Sequence, residues 1–230
     1  VVSAGQAGSQ RLDVRPVCDD GRMSAADSSA DVVVFRPVFG RVLAVVVIVL
    51  CVGGAVSGLV ADAGLTLRWL PLLALLGTAA WATYWRPAVI VTPAAVELRN
   101  VTRTIELPWP AIQRIDTRFA LTLHTPYGQY AAWAAPAPGR VQVRMAGPAD
   151  MRDLPSSTYG SGGTVQAGDL ASTGSGQAAL LVRARWEALR DAGVLDDARL
   201  ERERPRVRWH VGTLAAIVVL IAASVLALAL

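Results

Sequence analysis

Lysine is absent from this chain, and cysteine, histidine and charge of either sign are scarce. All 22 cations are arginine, there are two cysteines and two histidines, and only 17% of residues are charged. A soluble domain carries about 25% charged residues, so part of this chain is suited to an environment other than water. Two cysteines exclude a disulfide-stapled scaffold, the more so because Cys51 lies inside an apolar run. Two histidines, without HExxH, CxxC or paired-His spacing, give no basis for a metal or cofactor site. No Gly-x-Ser-x-Gly elbow marks a nucleophile, and a non-enzymatic protein is expected. The missing lysine accompanies abundant alanine and valine, which reads as codon bias and carries no functional weight.

What the sequence has in quantity is hydrophobicity, 53% of residues. Val42 to Val60 is a 19-residue run without an ionisable group. At 1.5 Å per residue, such a run matches a hydrocarbon core of about 30 Å. Trp69 to Trp85 is a second span, with Trp69 at one end and Trp81, Tyr84 and Trp85 at the other, as interfacial belts require. Val211 to Leu230 is a third, preceded by Trp209 and His210. None of the spans holds an acid, base or histidine that could relay ions, which argues against transport. Arg36 and Arg41 precede the first span, Arg86 follows the second, and Arg199, Arg202, Arg204, Arg206 and Arg208 crowd the approach to the third. Residues 199–208 hold +3 of the formal net charge of +4. The basic balance therefore needs no nucleic acid, and positive-inside places residues 86–210 in the cytoplasm with the main domain. Ala61-Asp62-Ala63 resembles a signal-peptidase site, but a second span follows at once and leaves that placement unchanged. Small residues recur at packing distance: Gly54 and Gly58 form a GxxxG pair, leaving room for a homo-oligomer beside packing within the hairpin.

Between the second and third spans the pattern changes to period two. Ala88 to Thr92, then Val96 and Leu98, then Ile105 and Leu107, mark three short strands, followed by Pro108-Trp109-Pro110. Ile112 to Phe119 places Ile115 and Phe119 opposite Arg114, Asp116 and Arg118, and Leu121 and Leu123 continue inward. Thr125-Pro126-Tyr127-Gly128 reads as a hairpin turn, and Arg140 to Met145 offers one more strand. Six or seven antiparallel strands are expected. Residues 136–177 are rich in Gly, Pro, Ser and Thr and read as a flexible loop. Its SSTYGSGGT stretch is no phosphate loop, since no Lys follows and no helix begins there. A helix is expected over Gln177 to Ala192, with Ala178, Val182, Trp186 and Leu189 on its core stripe. Arg183, Glu187 and Arg190 face away, and Gly193 stops the helix.

The stretch VIVTPAAVELRNVTRTIELPWPAIQRI, Val89 to Ile115, resembles the bacterial pleckstrin-homology-like (PH) domain family. The carrying residues are Arg99-Asn100, Arg103, Trp109 and Ile112, with the closing helix. Phe35-Arg36-Pro37 ahead of a transmembrane hairpin is similar to actinobacterial membrane proteins of this kind. The resemblance implies an α+β membrane protein. Its parts would be an antiparallel sheet or partial barrel capped by a C-terminal helix, an N-terminal transmembrane hairpin and a C-terminal transmembrane helix. It brings no ligand with it, because the fold hosts lipid, peptide and structural roles.

The domain plan is a disordered tail at 1–34, the hairpin at 35–86 (spans 42–60 and 69–85) and the PH-like domain at 87–193. A basic linker at 194–210 and a span at 211–230 complete it. Met23 heads a plausible internal start within the tail. Trp109, Ile112 and Trp186 are expected as structural anchors, and Arg199, Arg202, Arg204, Arg206 and Arg208 as a strip facing lipid. The function expected is a membrane-anchored binding or scaffolding module for an unknown membrane or cytoplasmic protein. The alternatives are an anionic-lipid reader or an accessory subunit of a transport or envelope complex. Cofactors and nucleic acid are not expected.

Overall fold

The computed structural model describes residues 32–139, 143, 147, 154–159, 164–196 and 204–229. Of the strand expected at Arg140 to Met145 only Val143 is described, and it is helical, its N–H donating to the Gly139 carbonyl at 3.2 Å; most of the tail lies outside the described residues. Strand β1 (Val33–Phe35) opens the described chain and leads into helix α1 (Val38–Ala61). Val33 and Val34, expected in the tail, and Phe35, expected at the head of the hairpin, pair antiparallel with β2 (Ala88–Val91). Three β-branched or aromatic side chains suit a pleated edge and explain the recruitment.

Helix α2 (Ala63–Ala80) continues into a π-helical turn, Trp81–Trp85. The loop expected across Ala61 to Arg68 is a single residue, Asp62. Its carboxylate accepts the Leu65 N–H at 3.0 Å and caps α2, so the second helix begins six residues before Trp69 and carries Arg68 within it. Gly58 of α1 lies against Thr66 of α2, where a Cβ would come within 2.6 Å of the hydroxyl. Gly54 has open space, so the GxxxG pair splits: one glycine closes the hairpin and the other faces outward.

Strands β3 (Ala95–Arg99) and β4 (Arg103–Pro108) follow β2, then β5 (Arg114–Asp116), β6 (Ala120–Thr125) and β7 (Gly128–Pro136). Six strands arise where six or seven were expected, and two more come from outside that stretch. The last, β8 (Arg206–Trp209), pairs with β4 inside what read as a linker. One sheet has the order β1-β2-β3-β4-β8 and the other β5-β6-β7. Both press apolar faces into one core: Val89, Val91, Val96, Leu98, Ile105 and Leu107 from the first, Leu121, Leu123, Ala132 and Ala134 from the second. Phe119 is not in that core. It stands 79% exposed in the β5–β6 turn, under the Arg118 guanidinium, because β5 ends at Asp116.

Helix α3 (Gly174–Asp191) covers the core with Ala178, Ala179 and Val182. It starts three residues earlier than expected because Thr173 caps it, accepting the Gly176 N–H at 3.0 Å. The stretch read as a flexible loop carries 3-10 turns at Ser156–Thr158 and Ala167–Asp169, and it buries Leu154, Thr158, Asp169 and Leu170. Arg183 was expected to face away, yet it is buried. Its Nη1 lies 2.8 Å from Asp169 Oδ1, and Thr117 Oγ1 donates to that same oxygen at 2.7 Å. Gly168 makes this possible, since any Cβ there would collide with the Thr117 carbonyl. Helix α4 (Val211–Ala229) ends the described chain and packs on α2, as α1 does.

Three helices, Val38–Ala61, Ala63–Trp85 and Val211–Ala229, are long and apolar enough to cross a membrane. They leave Val45, Val49, Val56, Val218, Ile221 and Val225 about half exposed or more. So large an apolar surface needs lipid or an apolar partner.

Candidate functional site

The antiparallel register gathers the connections to α1, α2 and α4 at one end of the five-stranded sheet. β1 runs into α1 across Arg36 and Pro37, the π-turn runs into β2 across Arg86 and Pro87, and β8 runs into α4 across His210. Phe35 lies opposite Val89, Ala88 opposite Arg99, Arg99 opposite Thr104, and Arg103 opposite Trp209. The sheet's helix-bearing end is therefore a row containing Arg99, Arg103, Trp209 and His210, with Arg86 beside it.

Three arginines elsewhere in the domain have carboxylates, while Arg118 and Arg204 lie over the rings of Phe119 and Tyr127. Arg114 meets Asp116 at 3.1 Å, Arg183 meets Asp169 at 2.8 Å and Arg190 meets Asp191 at 3.4 Å. At the helix-bearing end only Arg99 has one, Glu97 at 3.0 Å. Among the described residues, Arg41, Arg86 and Arg103 have no carboxylate within ion-pair distance. They stack on indoles instead: Arg41 over Trp85, Arg86 over Trp81 and Arg103 over Trp209, each 5.5 Å from the ring centroid. Partial burial, with the charge of Arg99, lowers the Arg86 pKa. It remains a cation, since a guanidinium does not deprotonate in a protein.

Hydrogen bonds tie this collar to the sheets. Arg86 Nη1 donates to Thr213 Oγ1 at 2.6 Å, joining α2 to α4. His210 lies 2.8 Å from Thr104 Oγ1 through Nε2 and 3.2 Å from the Val101 carbonyl through Nδ1. Trp133 of β7 donates its indole N–H to the Thr83 carbonyl at 3.0 Å, a carbonyl inside the π-helical turn. Asn100 bridges the sheets, accepting the Trp133 N–H at 2.8 Å and donating to the Ala131 carbonyl at 2.9 Å.

Of the basic strip anticipated from sequence, Arg199 and Arg202 lie outside the described residues. Arg206 and Arg208 are exposed on one face of β8, and Arg204 stands 5.8 Å from the Tyr127 ring. Trp109 is buried, and its indole N–H donates to the Thr92 carbonyl at 2.9 Å, pinning the β2–β3 turn. Ile112 is buried too, and its carbonyl accepts the half-buried Trp186 indole at 3.2 Å. In the sequence Arg41 and Arg86 stand out only as charges that orient the spans, Trp81 only as part of an interfacial belt, and Trp133 not at all. The signal present was Trp81 and Trp85 one turn apart with Arg86 directly after them.

Two antiparallel sheets sharing a core, closed by one helix, define an α+β domain bearing a cationic, aromatic collar. Residues 86–158 match the family model described as Bacterial PH domain, which supports a PH-like domain in this part of the chain. The match opens at Arg86 of the collar and closes at the Ser156–Thr158 turn, before α3. No curated protein and no solved structure matches the chain.

Proposed function

We propose that the chain is a non-catalytic binding or scaffolding module, a PH-like domain anchored by three spans at the cytoplasmic face of a bacterial cell membrane. The observation that carries this reading is the common end of the sheet. All three apolar helices enter it through connections of one or two residues, so the domain cannot move away from the surface that holds the helices. Arginines and tryptophans are concentrated at that same end, where anionic head groups and the interfacial layer favour them. The sheet's far end, with the β2–β3 turn and the first residues of β8, is left to meet a membrane or cytoplasmic protein.

The orientation is tested by placing single cysteines at Ser157 and after Leu230 in a variant lacking Cys18 and Cys51. They should label from opposite sides of the membrane. Labelling of the Ser157→Cys variant by an impermeant reagent in intact cells would overturn the cytoplasmic placement. Crosslinking with mass spectrometry in native membranes then identifies what the domain docks.

A further inference from the structure

We infer that the α1–α2 pair holds one anionic phospholipid, with an acyl chain in the cleft between the helices and the phosphate at Arg41 and Arg86. The inference rests on the membrane reading above. The two helices approach closely at both ends. A Cβ on Gly40 would lie 3.3 Å from the Tyr84 carbonyl oxygen, and Gly58 lies on Thr66. Between these contacts they part, leaving a cleft of about 510 Å³ lined by residues that include Ile48, Cys51, Ala55, Ala74, Gly77 and Trp81. Apart from Thr78 the lining is apolar, and within a bilayer an acyl chain is the occupant of matching polarity.

The head-group end is set by charge. Arg41 precedes Ile48 by one heptad and lies on the same face of α1, about 10 Å nearer the collar. Its Nε is buried without a hydrogen-bond partner among the described residues, and its guanidinium has no carboxylate. Trp81 lines the cleft and carries Arg86 on its ring, while Trp85, one turn further, carries Arg41. Two guanidiniums thus stand on indoles above an apolar cleft, with several donors unused. A phosphate takes two or more such donors at once, which a neutral head group does not.

The test is native mass spectrometry of the full chain extracted in detergent, offered phosphatidylglycerol or phosphatidylcholine of identical acyl chains at matched concentration. One phosphatidylglycerol should be retained at least about tenfold more strongly than phosphatidylcholine. Arg41→Gln with Arg86→Gln should abolish that preference. Arg114→Gln with Arg118→Gln, an equal loss of charge on the second sheet, should leave it intact. Ala55→Trp, which fills the cleft and keeps both arginines, should expel either lipid. Equal retention of the two lipids by the unmodified chain would overturn the site. So would retained preference in the double arginine variant. If that variant fails to fold, undiminished lipid binding by Ala55→Trp overturns the site instead. Alkaline carbonate separates this failure from that of the anchoring: a chain released from membranes refutes the anchor itself, and one that stays but shows no preference refutes only the lipid site.

Discussion

Arg183 and Asp169 show how a single residue can defeat a periodicity argument. Ala178, Val182 and Trp186 fix the buried stripe of α3, and Arg183 sits 100° round from Val182, at the stripe's margin. A charge at a margin is normally solvated. Here it turns inward because Asp169, fourteen positions earlier and in a stretch without periodicity, delivers a carboxylate to the same spot. Arg183 Nη2 also donates to the Ile115 carbonyl at 3.3 Å, so the pair ties α3 to β5. Asp169 Oδ2 and Arg183 Nε stay unpartnered among the described residues, which makes the pair a poor source of net stability but costly to break. Arg183→Met alone should destabilise the domain by about 3–5 kcal/mol, because it strands a buried carboxylate. Adding Asp169→Leu should recover most of that loss. Denaturant unfolding of the three proteins measures both steps, and additive losses in the double variant would contradict the assignment.

Elements with strong internal period were legible in the sequence, and elements made by a distant partner were not. The three apolar helices and β2 to β4 are written in runs that need no knowledge of neighbours, as Val89, Val96, Leu98, Ile105 and Leu107 show. The Ser156–Thr158 turn is different, because it is held from α3. Glu187 accepts the Ser157 N–H at 2.6 Å and the Ser156 hydroxyl at 2.8 Å. Partial burial pushes this carboxyl up, but those bonds and the nearby Arg190 outweigh it and hold the pKa below the usual glutamate value. A depressed folded-state pKa means a contribution that is present above the unfolded value, about 4.3, and lost as pH falls through the folded one. The melting temperature of the unmodified chain should exceed that of Glu187→Gln by a constant margin from pH 7 to about pH 5. The margin should shrink below about pH 4. A margin that instead widens on acidification would show that the carboxylate does not tether the turn.

At the scale of the whole molecule, the helices and the domain are one body because β8 is a strand and not a linker. From sequence, Arg204-Pro205-Arg206-Val207-Arg208 reads as a charged spacer, since the alternating arginines hide a period of two with only Val207 and Trp209 on the other face. The partner that makes it a strand is β4, about a hundred residues away, whose Ile105 lies opposite Val207 and whose Thr104 lies opposite Arg208. This pairing matters for function. A free spacer would let the third helix and the sheet turn independently, whereas a paired β8 fixes His210, Arg103 and Arg86 against α4 and holds the collar to one surface. In a variant lacking Cys18 and Cys51, Thr104→Cys with Arg208→Cys places two thiols on directly opposed residues of an antiparallel pair. Their separation suits a disulfide. Mild oxidation in membranes should join them rapidly and nearly completely, detected as a crosslinked peptide. Thr104→Cys with Val207→Cys, shifted by one residue, points the thiols to opposite faces of the sheet and should react far more slowly. Equal rates for the two pairs would mean that β8 samples many registers, and the three helices would then carry the domain on a hinge.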